Sequence, residues 1–360
     1  MKFKGMSRRE LLAGLAATGA GSLVGTGLRA QDVAEILKGD GHVVVCTWGG
    51  HYTDVMDQIW FSKFTDATGI TTSATAIPDM SKLEVMDKVN NVEWDLIDTE
   101  GTQMLVAIEK DLLEPIDYDL IFSVVPKEQI DPKVMKEYGI GSVAFSTCIG
   151  WNPKTIGEEG PQSWQELFDE SKFKGRLGLY AQPRPTFEIA LMAAGVPKDE
   201  IYPISIDEAF EACDAIKDKV DLWVERTSQW GVLMESGEVD LCGASLSRLV
   251  TGRKEGYFDF NFNQAIVEQS YWTVPKNAPG KEDAMKLIAW MMQAEGMREY
   301  ASQMPYTMAN TSIYDAIPEE HAKTLPGYPA NAEKNMNIDE TWWGANAEEV
   351  RTRWLDWMSS

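Results

Sequence analysis

Apolar and polar positions follow two rhythms along this chain: short unbroken apolar runs, and longer stretches with an apolar residue every three or four positions. The two meet first at Val43-Val44-Val45-Cys46, which runs into Thr47-Trp48-Gly49-Gly50-His51-Tyr52. Beyond it, Val55, Met56, Ile59, Trp60 and Phe64 recur at helical spacing from Asp54 onward, with Thr53 or Asp54 as N-cap. The pattern predicts a strand covered on both faces, as in a parallel sheet, then a tight glycine turn and a helix. Ligands of open α/β sheets bind outside the carboxyl ends of strands, so Trp48, His51 and Tyr52 are expected on the lip of a cleft.

The alternation continues. Strands are predicted over 69–75, 94–99, 141–151, 239–244 and 264–274, and helices over 82–89, 103–110, 186–194, 206–220, 228–235, 281–293 and 347–358. Ser163, with Glu166 three positions on, is a capping-box signature. Arg184 lies between two prolines and reads as a loop residue. Strands alternating with helices imply parallel βαβ units. The helix–turn–strand unit ending at Ala244 parallels the one from Met86 to Thr99, which suggests two similar halves facing a common cleft.

Composition narrows the function. With 360 residues and 44% hydrophobic content, the chain is large enough for two lobes. A formal charge of −23, with no basic run beyond the first residues, excludes nucleic acid as a partner. Residues 1–30 read as a signal peptide: Lys2, Lys4, Arg8 and Arg9 precede an apolar run from Leu11 to Leu28, with a cut expected after Ala30. Ser7-Arg8-Arg9-Glu10-Leu11-Leu12 resembles the twin-arginine export motif, which predicts a periplasmic protein. Cys46, Cys148, Cys213 and Cys242 show no metal-ligand spacing, and His42, His51 and His321 are scattered, so no metal or other cofactor is expected. Neither GxSxG nor HExxH occurs, and no nucleophile–base pair can be identified. A secreted hydrolase using two carboxylates is the alternative of another class. Ferric-ion capture would need Tyr180, Tyr202, Tyr257 and Tyr271, dispersed in sequence, to come together.

Taken in order, several segments resemble the extracellular solute-binding proteins of ABC importers, in the branch with the spermidine- and putrescine-binding proteins. They are Thr47 to Tyr52, Trp94 to Asp98, Trp151-Asn152, Ser163-Trp164, Lys172 to Arg176, Ser236 to Asp240, the helix from Lys281, and Asp339 to Trp343 with Arg353-Trp354. The resemblance implies a periplasmic-binding-protein-like α/β fold of type II, two lobes joined by a multi-strand hinge. Lobe 1 would take 32–147 and 270–305; lobe 2 would take 148–269 and 306–360. Such a protein is a monomer that closes on one small ligand, hands it to a membrane permease and breaks no bond.

The resemblance also places candidate ligand residues. Gly49-Gly50 stands where polyamine binders carry an acid, Ser245, Ser247 and Arg248 stand where they carry an aromatic and an acid, and Ser270 replaces a further acid, with Glu268 nearby. Losing carboxylates and gaining Arg248 turns the pocket toward a carboxylate or sulfonate. Arg184 and the Arg226-Thr227-Ser228 stretch are further anion candidates. Trp48, Tyr52, Trp230 and Trp272 would supply apolar walls, and Glu100 would meet an ammonium group if the ligand is zwitterionic. A 4-aminobutyrate-like amino acid satisfies both charges; a polyamine is the alternative within the family.

Overall fold

The computed structural model describes residues 29–360; the expected signal peptide falls almost wholly outside this range. In the first half of the chain, β1 (His42–Thr47), β2 (Thr71–Ala76) and β3 (Leu96–Glu100) pair in parallel in the order β2-β1-β3. Two short strands, β4 (Leu113–Glu114) and β5 (Met135–Lys136), precede the long β6 (Gly139–Trp151). In the second half, β7 (Leu177–Tyr180), β8 (Leu222–Val224) and β9 (Leu241–Ser245) are again parallel, with β7 between β8 and β9. β10 (Asp259–Pro275) is the longest, and β11 (Thr307–Met308) and β12 (Met336–Asn337) are short.

β6 and β10 join the halves. They run antiparallel side by side; the far end of β10 pairs with β3, and the far end of β6 pairs with β9. One sheet therefore runs β2-β1-β3-β10-β6-β9-β7-β8, with two parallel flanks and an antiparallel middle. The β6–β10 register shifts between Asn261 and Ile266 and again between Gln269 and Tyr271, so the crossing strands are irregular near the middle of β10.

Apolar residues line both faces of each flank. Val43, Val45, Phe64 and Leu287 build the core on one face of the first lobe, and Cys46, Trp94 and Met104 the core on the other. In the second lobe, Ile149, Trp164 and Phe187 pack on one face and Cys148, Trp230 and Phe258 on the other. This is the two-lobe α/β architecture expected, and the parallel flanks match the continuous apolar runs, as covered strands must. All four cysteines are buried free thiols.

Some local expectations are corrected. The helix after β1 starts at Gly50, not Asp54. Gly49 and Gly50 both take positive φ (79° and 58°), which turns the chain at once after β1, and the Thr53 hydroxyl accepts the Gly49 N–H at 2.9 Å. The same helix contains a π-helical turn, Asp57–Phe61. Arg184 is not in a free loop: it lies in the first turn of the helix Pro183–Ala193, held in an extended conformation before a cis peptide to Pro185. The last helix runs over Glu340–Ser359, capped by Asp339, because Trp343, Val350 and Trp354 share one buried face.

The tail from 306 onward divides between the lobes. Met308, Ala309, Ile313 and Leu325 join the first-lobe core, since Thr307–Met308 pairs with Val143 and Ala144 near the start of β6. The chain then crosses, and Met336–Asn337 pairs with Ile266 and Val267 on the second-lobe half of β10.

Candidate functional site

The strand ends of the two lobes meet at the cleft. On the first-lobe side, Asp98 near the end of β3 accepts hydrogen bonds from the Tyr52 hydroxyl and the Ser142 hydroxyl, both at 2.6 Å. Tyr52 arrives from the helix after the glycine turn, and Ser142 from β6. Tyr52 packs edge-on against Tyr300 and Tyr306, with ring centroids 6.3 and 5.8 Å away. Asp98 has no exposed surface, and burial pushes its carboxyl up to about 6; the Ser142 and Tyr52 hydrogen bonds pull it back, and Glu100 adds to the rise. The same burial, with the Asp98 charge beside it, raises the Tyr52 phenol well above its ordinary value.

At the hinge, Arg184 reaches across from the second lobe. Its Nη2 donates to Glu100 at 2.6 Å, its Nη1 to the Thr102 hydroxyl at 3.0 Å, and its Nε pairs with Glu268 on β10 at 2.8 Å. Burial raises the Glu268 carboxyl; Arg184 pulls it down, and Glu100, Glu188 and Glu340 push it up. Glu188 lies on the Arg184 helix, fully buried, its Oε1 accepting from Tyr202 at 2.6 Å and from the Trp343 indole at 2.7 Å.

On the second-lobe side, Ser245 and Ser247 share a hydrogen bond of 2.9 Å where β9 turns into the helix Leu246–Glu255. Arg248, in the first turn of that helix, is exposed and makes no ion pair with any of the described residues. Tyr306 of the first lobe stands opposite. Burial raises its phenol to about 12, against the pull of the Arg248 charge and the Ser247 hydroxyl and with a push from Asp98. Tyr306 thus lies within the fields of a second-lobe cation and a first-lobe acid.

The structure therefore brings Tyr52, Glu100, Arg184, Ser245, Ser247 and Arg248 to the facing strand ends. Trp48 is half-buried beside Gly49 and Gly50, after the last residue of β1. Three candidates lie elsewhere. Trp230 is fully buried beneath Tyr180, edge-on at 5.5 Å, so it backs the second-lobe wall rather than lining it. Trp272 is in the first-lobe core, and Ser270 is buried opposite Glu100 in the ladder. Trp230 and Trp272 are buried because a place after a turn or inside a strand does not tell a cleft wall from the layer behind it.

Arg184 is close to the cleft but already engaged by two carboxylates, unlike a free anion site. Asp98, Ser142 and Tyr306 were not singled out in the sequence as ligand residues. Asp98 stood in plain view, as an acid inside an otherwise apolar strand run; Ser142 and Tyr306 come from distant segments and carry no local signal. Tyr180, Tyr202, Tyr257 and Tyr271 lie apart: Tyr180 meets Thr227, Tyr202 meets Glu188, and Tyr271 meets Glu340.

The geometry is that of a two-lobe protein with a polar cleft at its hinge. The family model described as bacterial extracellular solute-binding protein matches residues 60–330, and the chain belongs to that family. An ABC transporter substrate-binding protein from Bradyrhizobium japonicum superposes with a TM-score of 0.82 at 28% identity, covering 88% of this chain and 99% of that one. A solved GABA receptor gives a TM-score of 0.79 at 32% identity, covering 88% and 97%. The gamma-aminobutyric acid-binding protein of Pseudomonas aeruginosa is 26% identical over 324 residues, 88% of this chain and 91% of that protein. The protein is accordingly a solute-binding component of an ABC importer.

Proposed function

We propose that this protein captures a small zwitterionic ω-amino acid of the 4-aminobutyrate type in the periplasm and passes it, chemically unchanged, to an ABC permease. The carboxylate lies against Arg248 and the serine pair Ser245 and Ser247, at the start of a ten-residue helix whose first N–H groups favour an anion. The ammonium lies over the Tyr52 wall, drawn by the charge of Asp98, which is buried behind it and held by Tyr52 and Ser142. Tyr52, Tyr306 and Trp48 flank the methylene chain, where their rings also suit a cation. The observation that carries the reading is that the Arg248 guanidinium, unpaired among the described residues, and the pre-oriented, buried Asp98 both act on Tyr306 between them. Two of the relatives above are described as binding GABA, which supports the same class.

Several further features belong to this proposal. The protein works as a monomer, exported by its twin-arginine-type leader and cut near Ala30. Its lobes divide near the middle of β6 and of β10, with the tail crossing between Leu325 and Met336.

The test is a thermal-shift and calorimetric panel on residues 31–360, stripped of bound solute by partial unfolding. A binder of the folded state raises the melting temperature in step with its concentration over Kd. 4-Aminobutyrate and its homologues are expected to bind, and Arg248→Ala to abolish the response. Binding confined to putrescine or spermidine would overturn the zwitterion reading in favour of a polyamine, and turnover of any bound compound would overturn the assignment as a carrier.

A further inference from the structure

The contacts of Arg184 raise a question of charge. Its guanidinium comes from the second lobe, and every one of its nitrogens has a partner: Glu100 and Thr102 on the first lobe, Glu268 on the crossing strand. The pairing is sheltered, with side-chain exposures of 22% for Arg184, 27% for Glu100 and 12% for Glu268. Around them the balance is negative. Glu188 and Glu340 both act on Glu268, and the Glu188 Oε2 is buried without a hydrogen-bond partner among the described residues. One arginine thus serves four carboxylates.

We propose that Arg184 is a built-in counter-ion that sets the charge class of the ligand. Its guanidinium fills the place over Glu100 and Glu268 where a second ammonium would otherwise sit, so the cleft accepts one cationic end and not two. The inference rests on the zwitterion reading above and names what enforces it.

Three features support it. Asp98 and Glu100 lie two residues apart on β3, on the same side of the pleat and roughly 6.5 Å from one another, so the field of the buried Asp98 and the Glu100 carboxylate are spaced for the two ends of an extended short diamine. Without Arg184, Glu100 and Glu268 would present two uncompensated carboxylates to one end of the cleft, within the field of the buried Asp98. Those acids are not arranged for a metal: among the described residues no group of three or more His, Cys, Asp or Glu side chains could hold an ion. An organic dication, with hydrogen-bonding ammonium groups at separate points, is the species such a row would take. Leaving two buried carboxylates without their cation is also unfavourable, which drives them to accept a replacement.

The experiment compares wild type with Arg184→Ala, both as residues 31–360, by calorimetry against 1,4-diaminobutane and 4-aminobutyrate. It is run at pH 8.5 and repeated at pH 9.5, because burial raises the Glu268 carboxyl and removing Arg184, which pulls it down, raises it further. The variant should bind the diamine at least about tenfold more tightly than wild type does, as charge-assisted bonds to the freed carboxylates form. Glu268→Gln added to Arg184→Ala should remove that gain. If Arg184→Ala does not fold by circular dichroism, Arg184→Gln keeps the stem, removes the charge and carries the same expectation.

A folded variant with unchanged diamine affinity overturns the proposal, as does a gain that survives Glu268→Gln. Loss of 4-aminobutyrate binding without a diamine gain also overturns it and makes Arg184 a direct contact of the ligand carboxylate. Failure of wild type to bind any ω-amino acid would sink the zwitterion reading alone, since the diamine gain is read independently.

Discussion

The two walls of the cleft are built on opposite plans. On the first lobe, the acid is buried and its oxygens are taken up by Tyr52 and Ser142 before any ligand arrives. On the second lobe, Arg248 projects from the first turn of a helix with no partner among the described residues. The first wall is pre-organised, so little further ordering is needed when a cation meets it; the second must order a long side chain on binding. A ligand with one charge of each sign would dock on the rigid acid and complete its binding when the arginine closes on its other end. The contrast also locates selectivity. A fixed acid specifies distance and direction, whereas a mobile guanidinium tolerates several anion geometries.

Removing the mobile cation should break this comparison most. Arg248→Ala is expected to weaken ω-amino acid binding on the order of tenfold to a hundredfold by calorimetry, with the melting temperature of the free protein unchanged. A loss of stability instead would mean that Arg248 holds the fold and not the ligand.

The acid wall gives the next largest effect, and it depends on pH. The Asp98 carboxyl is raised in the folded protein from 3.8 to about 6, so the folded state holds the proton more tightly than the unfolded chain. Its contribution to stability is therefore full below about 4 and is lost as pH rises through about 6. Affinity for an ammonium group runs the other way, rising through about 6 as Asp98 ionises. Titrating the melting temperature and Kd together should show these opposite slopes, and Asp98→Asn should flatten both. Parallel slopes would show that Asp98 does not face the ligand.

Tyr52→Phe isolates the pre-organisation. It removes one of the two hydrogen bonds to Asp98 and should cost about 1 kcal/mol in ligand binding, a loss of roughly fivefold. Smaller still is the backbone term at the turn: Gly49→Ala forces a side chain at φ 79° and brings its Cβ within 3.2 Å of Ala76, so stability should fall by about 1 kcal/mol. Trp230→Phe sharpens the comparison from behind the second wall. It should lower the melting temperature and leave Kd unchanged, since Trp230 supports Tyr180 from the core.

Much of the fold was legible because it rests on local rules. The run Val43 to Cys46 and the glycine pair behind it announce β1 and the turn, and the apolar stretches at Leu96 and Leu241 announce the strands whose ends border the cleft. Ser163 does cap the short helix Trp164–Leu167, its hydroxyl accepting the Glu166 N–H at 3.1 Å. Helix boundaries slipped where tertiary packing decided them, as at Glu340, where buried Trp343 extends the last helix beyond its apolar period. The candidate site was half legible. Ser245, Ser247 and Arg248 follow a strand end and so reach the cleft by topology alone, whereas Trp230 and Trp272 satisfy the same residue-type expectation and are core.

What the sequence determined by itself is the class: two parallel α/β units, the glycine turn, and a second-lobe strand end with serines and arginine where carboxylates were expected. Those features depend on hydrophobic period and chain order, which are local. The tertiary structure alone decided which charges are free and which are spent. Arg184 and Arg248 are the same residue type near the same cleft, yet one is held by Glu100 and Glu268 and the other is held by nothing described. That difference arises because segments more than eighty residues apart are folded onto one point, where burial and proximity, not composition, set the electrostatics.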